Sequence, residues 1–240
     1  MCSSEYPEYS GILYVIKCDT IKPMIIQIIS LFPEVFLPYL NTSMIHKATT
    51  NKAVEFRFIN LRDFGIGMRR RVDDTPYGGG DGMLLKPEPL VSAIEAAKQN
   101  VDSDKVKIIL PTPRGKLYRQ SDANRLAGQL DGLIIVCPRY EGYDERVINW
   151  VDEQICIGQY VLTGGELPAL VIVDSIVRLL PGVLGGEKSA EIESFQKDDH
   201  SIEFPQYTRP ADFRGLKVPE VLLSGHHARV DGWREENRTV

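Results

Sequence analysis

The chain has 240 residues, 43% apolar, 25% charged and 8% aromatic, the proportions of one or two globular domains; collagen, coiled coil and intrinsic disorder are excluded. Its 28 Lys and Arg stand against 33 Asp and Glu, a net charge of −5, so no global positive field draws in a polyanion and any nucleic-acid contact must be local. Four cysteines (Cys2, Cys18, Cys137, Cys156) form neither a C-x-x-C pair nor a dense framework, which points to a reducing compartment, the cytoplasm, and away from a structural zinc. No apolar run approaches the roughly 20 residues that cross a bilayer, and the start, with Glu5 and Glu8, lacks the basic and apolar stretches of a secretory signal.

Residues 1–23 read as an extension, because the first clean strand pattern begins at Met24. Met24-Ile-Ile-Gln-Ile-Ile-Ser-Leu-Phe is a β-branched run halted by Pro33, with a helix expected after it. Val54-Glu-Phe-Arg-Phe-Ile-Asn alternates, the mark of a half-buried strand. Regularity then stops over residues 62–82, which hold Arg69, Arg70 and Arg71, the acidic pair Asp73 and Asp74, and the run Tyr77-Gly-Gly-Gly-Asp-Gly. Long loops of this kind are usually functional or disordered.

The spacing predicts a helix over 87–99 with Leu90, Val91, Ile94 and Ala97 on one face. A strand over 107–111 follows, closed by a turn over 112–115, then a helix over 121–130 with Ser121 as N-cap and a buried strand over 133–138. A short helix over 144–151, a strand over 153–158 and an apolar helix over 168–180, closed by Pro181 and Gly182, complete the pattern. Strand alternating with helix is the signature of an α/β fold with a mostly parallel sheet. Beyond Gly182 the periodicity dissolves, so residues 183–200 read as a linker and 201–240 as a small C-terminal segment.

Familiar nucleotide fingerprints fail. Gly78-Gly-Gly-Asp-Gly lacks the G-x-G-x-x-G spacing, and Gly185-Gly-Glu-Lys-Ser has Glu187 where the Walker loop needs Gly. What remains are Gly- and Pro-rich segments just after predicted strands: Pro111 to Gly115, Cys137-Pro-Arg-Tyr-Glu-Gly142, and the run from Ile157 to Pro168. Each alone reads as a connector; together, at the carboxyl ends of parallel strands, they lie where open α/β sheets bind ligands. Cys137 reads as a small core residue, and the four histidines show no metal-ligand spacing. The three arginines at 69–71 are either a solvated face or a local phosphate contact. Arg178, inside an apolar run, must snorkel, pair with Asp174 four residues earlier, or face a site.

Several stretches together resemble one family. They are Ser30-Leu-Phe-Pro, the run from Val72 to Met83, Cys137-Pro-Arg-Tyr-Glu-Gly-Tyr-Asp-Glu-Arg-Val147, Ile157-Gly-Gln-Tyr-Val-Leu-Thr-Gly-Gly-Glu-Leu-Pro-Ala169, Pro181-Gly-Val-Leu-Gly185, Tyr207-Thr-Arg-Pro210 and Val221-Leu-Leu-Ser-Gly-His-His-Ala228. In order and at near-native spacing from Met24 to Trp233, they are similar to the bacterial tRNA (guanine-N1)-methyltransferases of the SPOUT class. The resemblance implies a trefoil-knotted, S-adenosylmethionine-binding domain over 24–182, a linker, a helical C-terminal segment, and a homodimer with the active site at the subunit interface. It implies methyl transfer from S-adenosylmethionine to N1 of the guanosine immediately 3′ to the tRNA anticodon. Cofactor contacts are then expected from Pro111, Pro113, Pro138, Tyr140, Glu141, Ile157, Gly158, Gln159, Tyr160, Val161, Leu162, Gly164, Gly165 and Pro168, and tRNA contacts from Asp73, Ser189 and Arg209.

N1 of guanine carries a proton, so the reaction needs a general base and a cation near O6, where charge develops. Alignment through Ser189 to Phe195 implies Glu193 as the base, with Glu191 the alternative, and Arg178 as the O6 stabiliser. The donor is a sulfonium, so the transfer itself needs no metal; an assisting Mg2+ is compatible with the sequence and not specified by it. The chain departs from the family pattern at several positions: Glu193 for the usual Asp, Gln159 for a common acid, Asp81 for Pro, and Pro138 for Gly, which removes an N–H and leaves the carbonyl to the cofactor. Family members usually continue past the point where this chain ends, so a weaker, steeply salt-dependent grip on tRNA is expected. Two other readings remain: a non-catalytic RNA-binding module on a knotted fold, and a knotted methyltransferase for a different RNA.

Overall fold

The computed structural model describes residues 22–101, 103–184, 193–195 and 200–239. β1 (Met24–Ser30) is buried at all seven positions, as a β-branched run in the middle of a parallel sheet should be. α1 (Leu37–Leu40) and α2 (Ser43–Thr50) carry the chain across to β2 (Val54–Asn60), which runs parallel to β1 from Met24 opposite Val54 to Ser30 opposite Asn60. The segment without periodicity holds a short antiparallel pair, β3 (Asp73–Asp74) with β4 (Leu84–Leu85), so the glycine run is a hairpin tip. α3 (Pro87–Gln99) follows as the spacing predicts; Leu90, Ile94 and Ala97 are buried, Val91 is half-buried, and Ala93, outside the expected face, is buried as well.

β5 (Val106–Leu117), α4 (Gln120–Gln129), β6 (Gly132–Val136), β7 (Glu153–Cys156) and α5 (Glu166–Val177) complete a five-stranded parallel sheet of order β2-β1-β6-β5-β7. The α/β class expected from the alternation is the class observed. Alternate side chains of each strand feed two cores. Ile26, Ile28, Ile109 and Ile135 meet Ile172, Val173 and Ile176 of α5 on one face, while Ile29, Ile108, Ile134 and Val136 meet Leu90 and Ile94 of α3 on the other. Each such side chain contributes about 1.5–3 kcal/mol by leaving water. Gln27, the polar break in β1, is satisfied inside the core by donating to the Ala97 carbonyl at 2.7 Å.

Several elements differ from their expected bounds; α5 spans Glu166–Val177 in place of 168–180, and β6 and β7 each end two residues early. The expected turn over 112–115 is carried inside β5: Pro111 and Lys116 both stand opposite Ile155, and the residues between them bulge out of the ladder. α4 starts at Gln120, so Ser121 lies in the first turn; Asp122 instead accepts from the Arg119 N–H at 3.2 Å, the returning half of a capping box. Residues 145–150 form a 3-10 helix capped by Asp144, which accepts from the Arg146 N–H at 3.0 Å.

Gly115 makes the bulge possible. A Cβ there would lie 2.5 Å from Gln154 C and 2.6 Å from Ile155 C, backbone that has nowhere to move. Gly115→Ala is expected to destabilise the protein by about 1–3 kcal/mol. Gly128→Ala, in α4 with open space around it, is expected to stabilise by up to about 1 kcal/mol. Urea denaturation of the two variants checks the contrast; a loss at both positions would contradict it.

The chain divides into two compact units. One runs to Tyr118 and resumes over Ala123–Val183; the other takes Arg119–Asp122 and the residues from Leu184 onward. Within the second unit, β8 (Asp212–Phe213) and β9 (Leu216–Lys217) form a hairpin, followed by α6 (Glu220–Leu223) and α7 (His227–Glu236). Tyr207 packs on Trp233 with ring centroids 6.2 Å apart, and Arg234 and Arg238 lie 5.1 and 5.8 Å from the Phe204 ring.

Candidate active site

Three segments after parallel strands meet in the first unit: the β5 bulge, the loop after β6, and the loop between β7 and α5. They wall a cavity of about 590 Å³ at the carboxyl side of the sheet, where the twist of an open α/β sheet leaves a crevice. The bulge contributes Pro111, Thr112, Pro113 and Arg114, and the loop after β6 contributes residues 138–143. The third wall holds Ile157, Gly158, Tyr160, Val161, Leu162, Gly164, Gly165 and Pro168. Every residue named from the sequence for the cofactor therefore lines this space except Gln159, which is exposed and outside its lining. Thr112, Arg114, Arg139, Tyr143 and Glu145 line it too and were not named. Their signal lay within the same loops, where the family motif alone did not single them out.

The loop after β6 is pinned at both ends. Glu141 N–H donates to the Met83 carbonyl at 3.0 Å, Leu85 N–H to the Gly142 carbonyl at 2.9 Å, and Asp144 N–H to the Leu85 carbonyl at 2.9 Å, so β4 acts as its backing strand. Gly142 N–H closes a turn on the Arg139 carbonyl at 3.1 Å. Tyr140 opens that turn at φ 59°, a left-handed conformation that a bulky residue adopts only when its surroundings impose it. The Pro138 carbonyl, expected to be left for the cofactor, accepts the Gly165 N–H at 2.8 Å; one lone pair remains. This bond joins the loop after β6 to the start of α5. A Cβ on Gly165 would lie 2.5 Å from Pro138 Cδ, which keeps glycine there.

Charged groups stand along the rim. Arg114 meets Glu145 at 2.5 Å and lies 5.9 Å from the Tyr143 ring centroid; the Glu145 carboxylate and then Tyr143 hold its guanidinium above its ordinary pKa. Asp144 is held below the usual carboxylate range, chiefly by its bonds to Arg146 at 2.8 Å. A depressed folded pKa gives stability that is present above the unfolded value and lost as pH falls through the folded one. Removing this cap with Asp144→Ala is expected to cost about 1 kcal/mol at neutral pH and almost nothing once the wild-type carboxylate is protonated, measured by denaturation across that pH range. Beneath the loops, Cys137 is buried, and burial pushes its thiol well above its ordinary pKa, so it is a core residue and not a nucleophile.

The residues named for catalysis and tRNA sit on other elements. Arg178 is the C-cap of α5, half-buried, its N–H donating to the Asp174 carbonyl at 3.2 Å. The Asp174 carboxylate, considered as a partner for Arg178, accepts the Tyr39 hydroxyl at 2.7 Å. Glu193 belongs to the second unit and is half-buried; next to it Ser194 Oγ accepts the Glu203 N–H at 3.0 Å, which fixes the segment locally. Asp73 lies in β3, Arg209 is exposed in the second unit, and Ser189 and Glu191 lie outside the described residues. Asp74, beside Asp73, is held below the usual carboxylate range by the Thr75 N–H first, then by Arg71 and Lys86, each 3.5 Å away. Arg70 pairs with Asp63 at 3.0 Å, so the arginine run is in part a local ion-pair network.

The sequence model of the tRNA (guanine-1)-methyltransferase TrmD family matches residues 24–240. The chain belongs to that family. It is 49% identical over 214 residues to a tRNA (guanine-N(1)-)-methyltransferase of Halalkalibacterium halodurans, covering 89% of this chain and 85% of that protein. It is 50% identical to the Brevibacillus brevis enzyme of the same name, covering 88% and 85%. The crystal structure of a tRNA (m1G37) methyltransferase from Aquifex aeolicus is similar at a TM-score of 0.72 and 37% identity, over 88% of this chain and 87% of that one. The family expected from the sequence motifs and the α/β class with its parallel sheet are thus those found.

Proposed function

We propose that the chain methylates N1 of the guanosine immediately 3′ to the tRNA anticodon, using S-adenosylmethionine held in the cavity between β5, β6 and β7. The cavity itself carries this reading. Its volume, about 590 Å³, falls in the range of small-molecule sites. Gly158, Gly164 and Gly165 pack too tightly against Tyr160, Arg139 and Pro138 to carry a side chain, so the wall there is bare backbone, suited to a flat polar ligand. When bound, the cofactor supplies a methyl group already activated as a sulfonium, so the step needs no metal, and an assisting Mg2+ is compatible with it.

The protein's work is then proton removal and charge stabilisation. Glu193 accepts the N1 proton while the methyl–sulfur bond breaks and the N1–methyl bond forms. Arg178 donates to O6, where negative charge grows as the proton leaves. Asp73, Ser189 and Arg209 are assigned to the tRNA. Residues 24–182 serve as the knotted cofactor domain, 183–200 as linker and 201–240 as the C-terminal segment. The assembly is a homodimer with the active site at its interface. In support, α5 is apolar almost all round, yet Leu167 and Val171 are exposed, as are Val161 and Leu162 on the preceding loop; an apolar helix of this kind is normally covered.

Product mapping tests the reaction: 1-methylguanosine recovered from that one position supports it, and methylation of another RNA or position refutes it. For the tRNA contacts, Arg209→Ala is expected to weaken tRNA binding and to flatten the log K against log salt slope by about one. Filter binding across salt concentrations measures this, and an unchanged slope removes Arg209 from the phosphate contacts.

A further inference from the structure

A carboxylate buried beneath the cavity has a role the cavity lining does not explain. Glu166 is 2% exposed and does not line the cavity, and a charge so far from water persists only where partners replace its hydration. Its Oε1 accepts the Ser30 hydroxyl at 2.8 Å, and that hydroxyl oxygen accepts the Phe32 N–H at 2.9 Å. Its Oε2 lies 2.9 Å from Arg139 Nε, both atoms sealed from solvent and paired by charge, not by an aligned hydrogen bond. The Arg139 guanidinium stacks 4.7 Å from the Phe32 ring centroid, and its Nη1 reaches the Thr163 carbonyl at 3.4 Å. Glu166 also opens α5, where the positive end of the helix dipole favours a carboxylate.

One ion pair therefore joins the end of β1, the loop after β6 and the loop before α5. The cavity wall rests on it directly. A Cβ on Gly164 would lie 2.5 Å from Arg139 Nε and 2.7 Å from Glu166 Oε2, and one on Gly165 would lie 2.7 Å from Cys137 Cα. Gly164 is thus packed against the pair itself, and Gly165 against the start of the loop after β6.

We propose that Glu166 is a positioning residue: by holding Arg139 it sets the separation of the 138–142 and 163–165 walls and so the shape of the cavity, a role that rests on reading that cavity as the S-adenosylmethionine site. Glu166 touches no ligand. It acts through Arg139, which lines the cavity and is fixed by three partners: the carboxylate, the Phe32 ring and the Thr163 carbonyl. Glu166→Gln keeps an acceptor for Ser30 and almost the same shape, but leaves the guanidinium without its counter-charge. Arg139→Lys keeps the cation and loses the planar group that stacks and bonds together.

The test is calorimetric titration of the full chain with S-adenosylhomocysteine, alongside steady-state methyl transfer. Both variants are expected to bind the ligand about ten-fold or more weakly and to raise the KM for cofactor more than they lower kcat, with the KM for tRNA unchanged. The double variant should fall short of the product of the two single effects, because both break one contact. Unchanged affinity in folded variants that merely melt at lower temperature would overturn the positioning role. If Glu166→Gln does not fold, Arg139→Lys decides by the same criterion. Failure of the wild type to bind the ligand would instead overturn the cavity reading, and this inference with it.

Discussion

Arg178→Ala is expected to lower methyl transfer by about 100-fold or more at saturating substrates, while S-adenosylmethionine binding persists. The reason is electrostatic. N1 of guanine reacts only as its proton leaves, and the charge released spreads to O6, so a fixed cation there stabilises the transition state more than the bound ground state. Arg178 is suited to this by position: as the C-cap of α5 it ends a helix whose buried Ile172, Val173 and Ile176 anchor it in the core. Because it is outside the lining of the cavity, its loss should spare cofactor affinity. Arg178→Lys should recover part of the rate, since it keeps charge but not the planar fork. Unchanged turnover in Arg178→Ala would remove this residue from the mechanism.

Glu193→Gln is the second large effect, an expected loss of about 100- to 10,000-fold in kcat with tRNA and cofactor binding retained. The amide keeps the size of the carboxylate and its acceptor oxygen but cannot take a proton. Glu191→Gln is expected to change the rate little, and Glu193→Asp should retain activity because the role proposed for that position is basicity. Single-turnover methyl transfer under saturating cofactor measures all three. A severe loss at Glu191 with a mild one at Glu193 would move the base two residues upstream.

Much of this arrangement was legible in the residues because burial and period coincide. The run Met24-Ile-Ile-Gln-Ile-Ile-Ser reads as a central strand and is one, and the Leu90, Ile94 and Ala97 stripe reads as a buried helix face and is one. β5 was legible only to Pro111. Beyond it, Thr112-Pro-Arg-Gly has turn chemistry, and the ladder resumes at Lys116 only because Gly115 lets the chain lie against the Ile155 backbone. The β3–β4 pair is too short to carry a period and is defined by its backing of the loop after β6, a tertiary fact. Helix bounds slipped for local reasons, since α5 begins at Glu166, where the Gly165 N–H is already held by Pro138.

The candidate cavity was legible as motif, and its electrostatics were not. Gly164 and Gly165 stand out in any reading of the chain, whereas the Arg139 to Glu166 pair joins the loop after β6 to the first residue of α5, which come together only in the folded chain. The same holds for Tyr39 and Asp174, or Arg125 and Glu153, whose bidentate contact at 2.9 and 2.7 Å depends on the strand order. Glu193 carries no local signature either, and Arg178 carries only that of a cation inside an apolar run. An acid in a Ser- and Glu-rich stretch and an arginine at the end of an apolar helix acquire roles only through the family motif.

The most direct test is methyl transfer from labelled S-adenosylmethionine to two unmodified tRNA transcripts, one with G and one with A immediately 3′ to the anticodon. Incorporation into the G transcript alone, recovered as 1-methylguanosine, is the predicted result. Equal labelling of both transcripts, or none in either despite measurable cofactor binding, would contradict it.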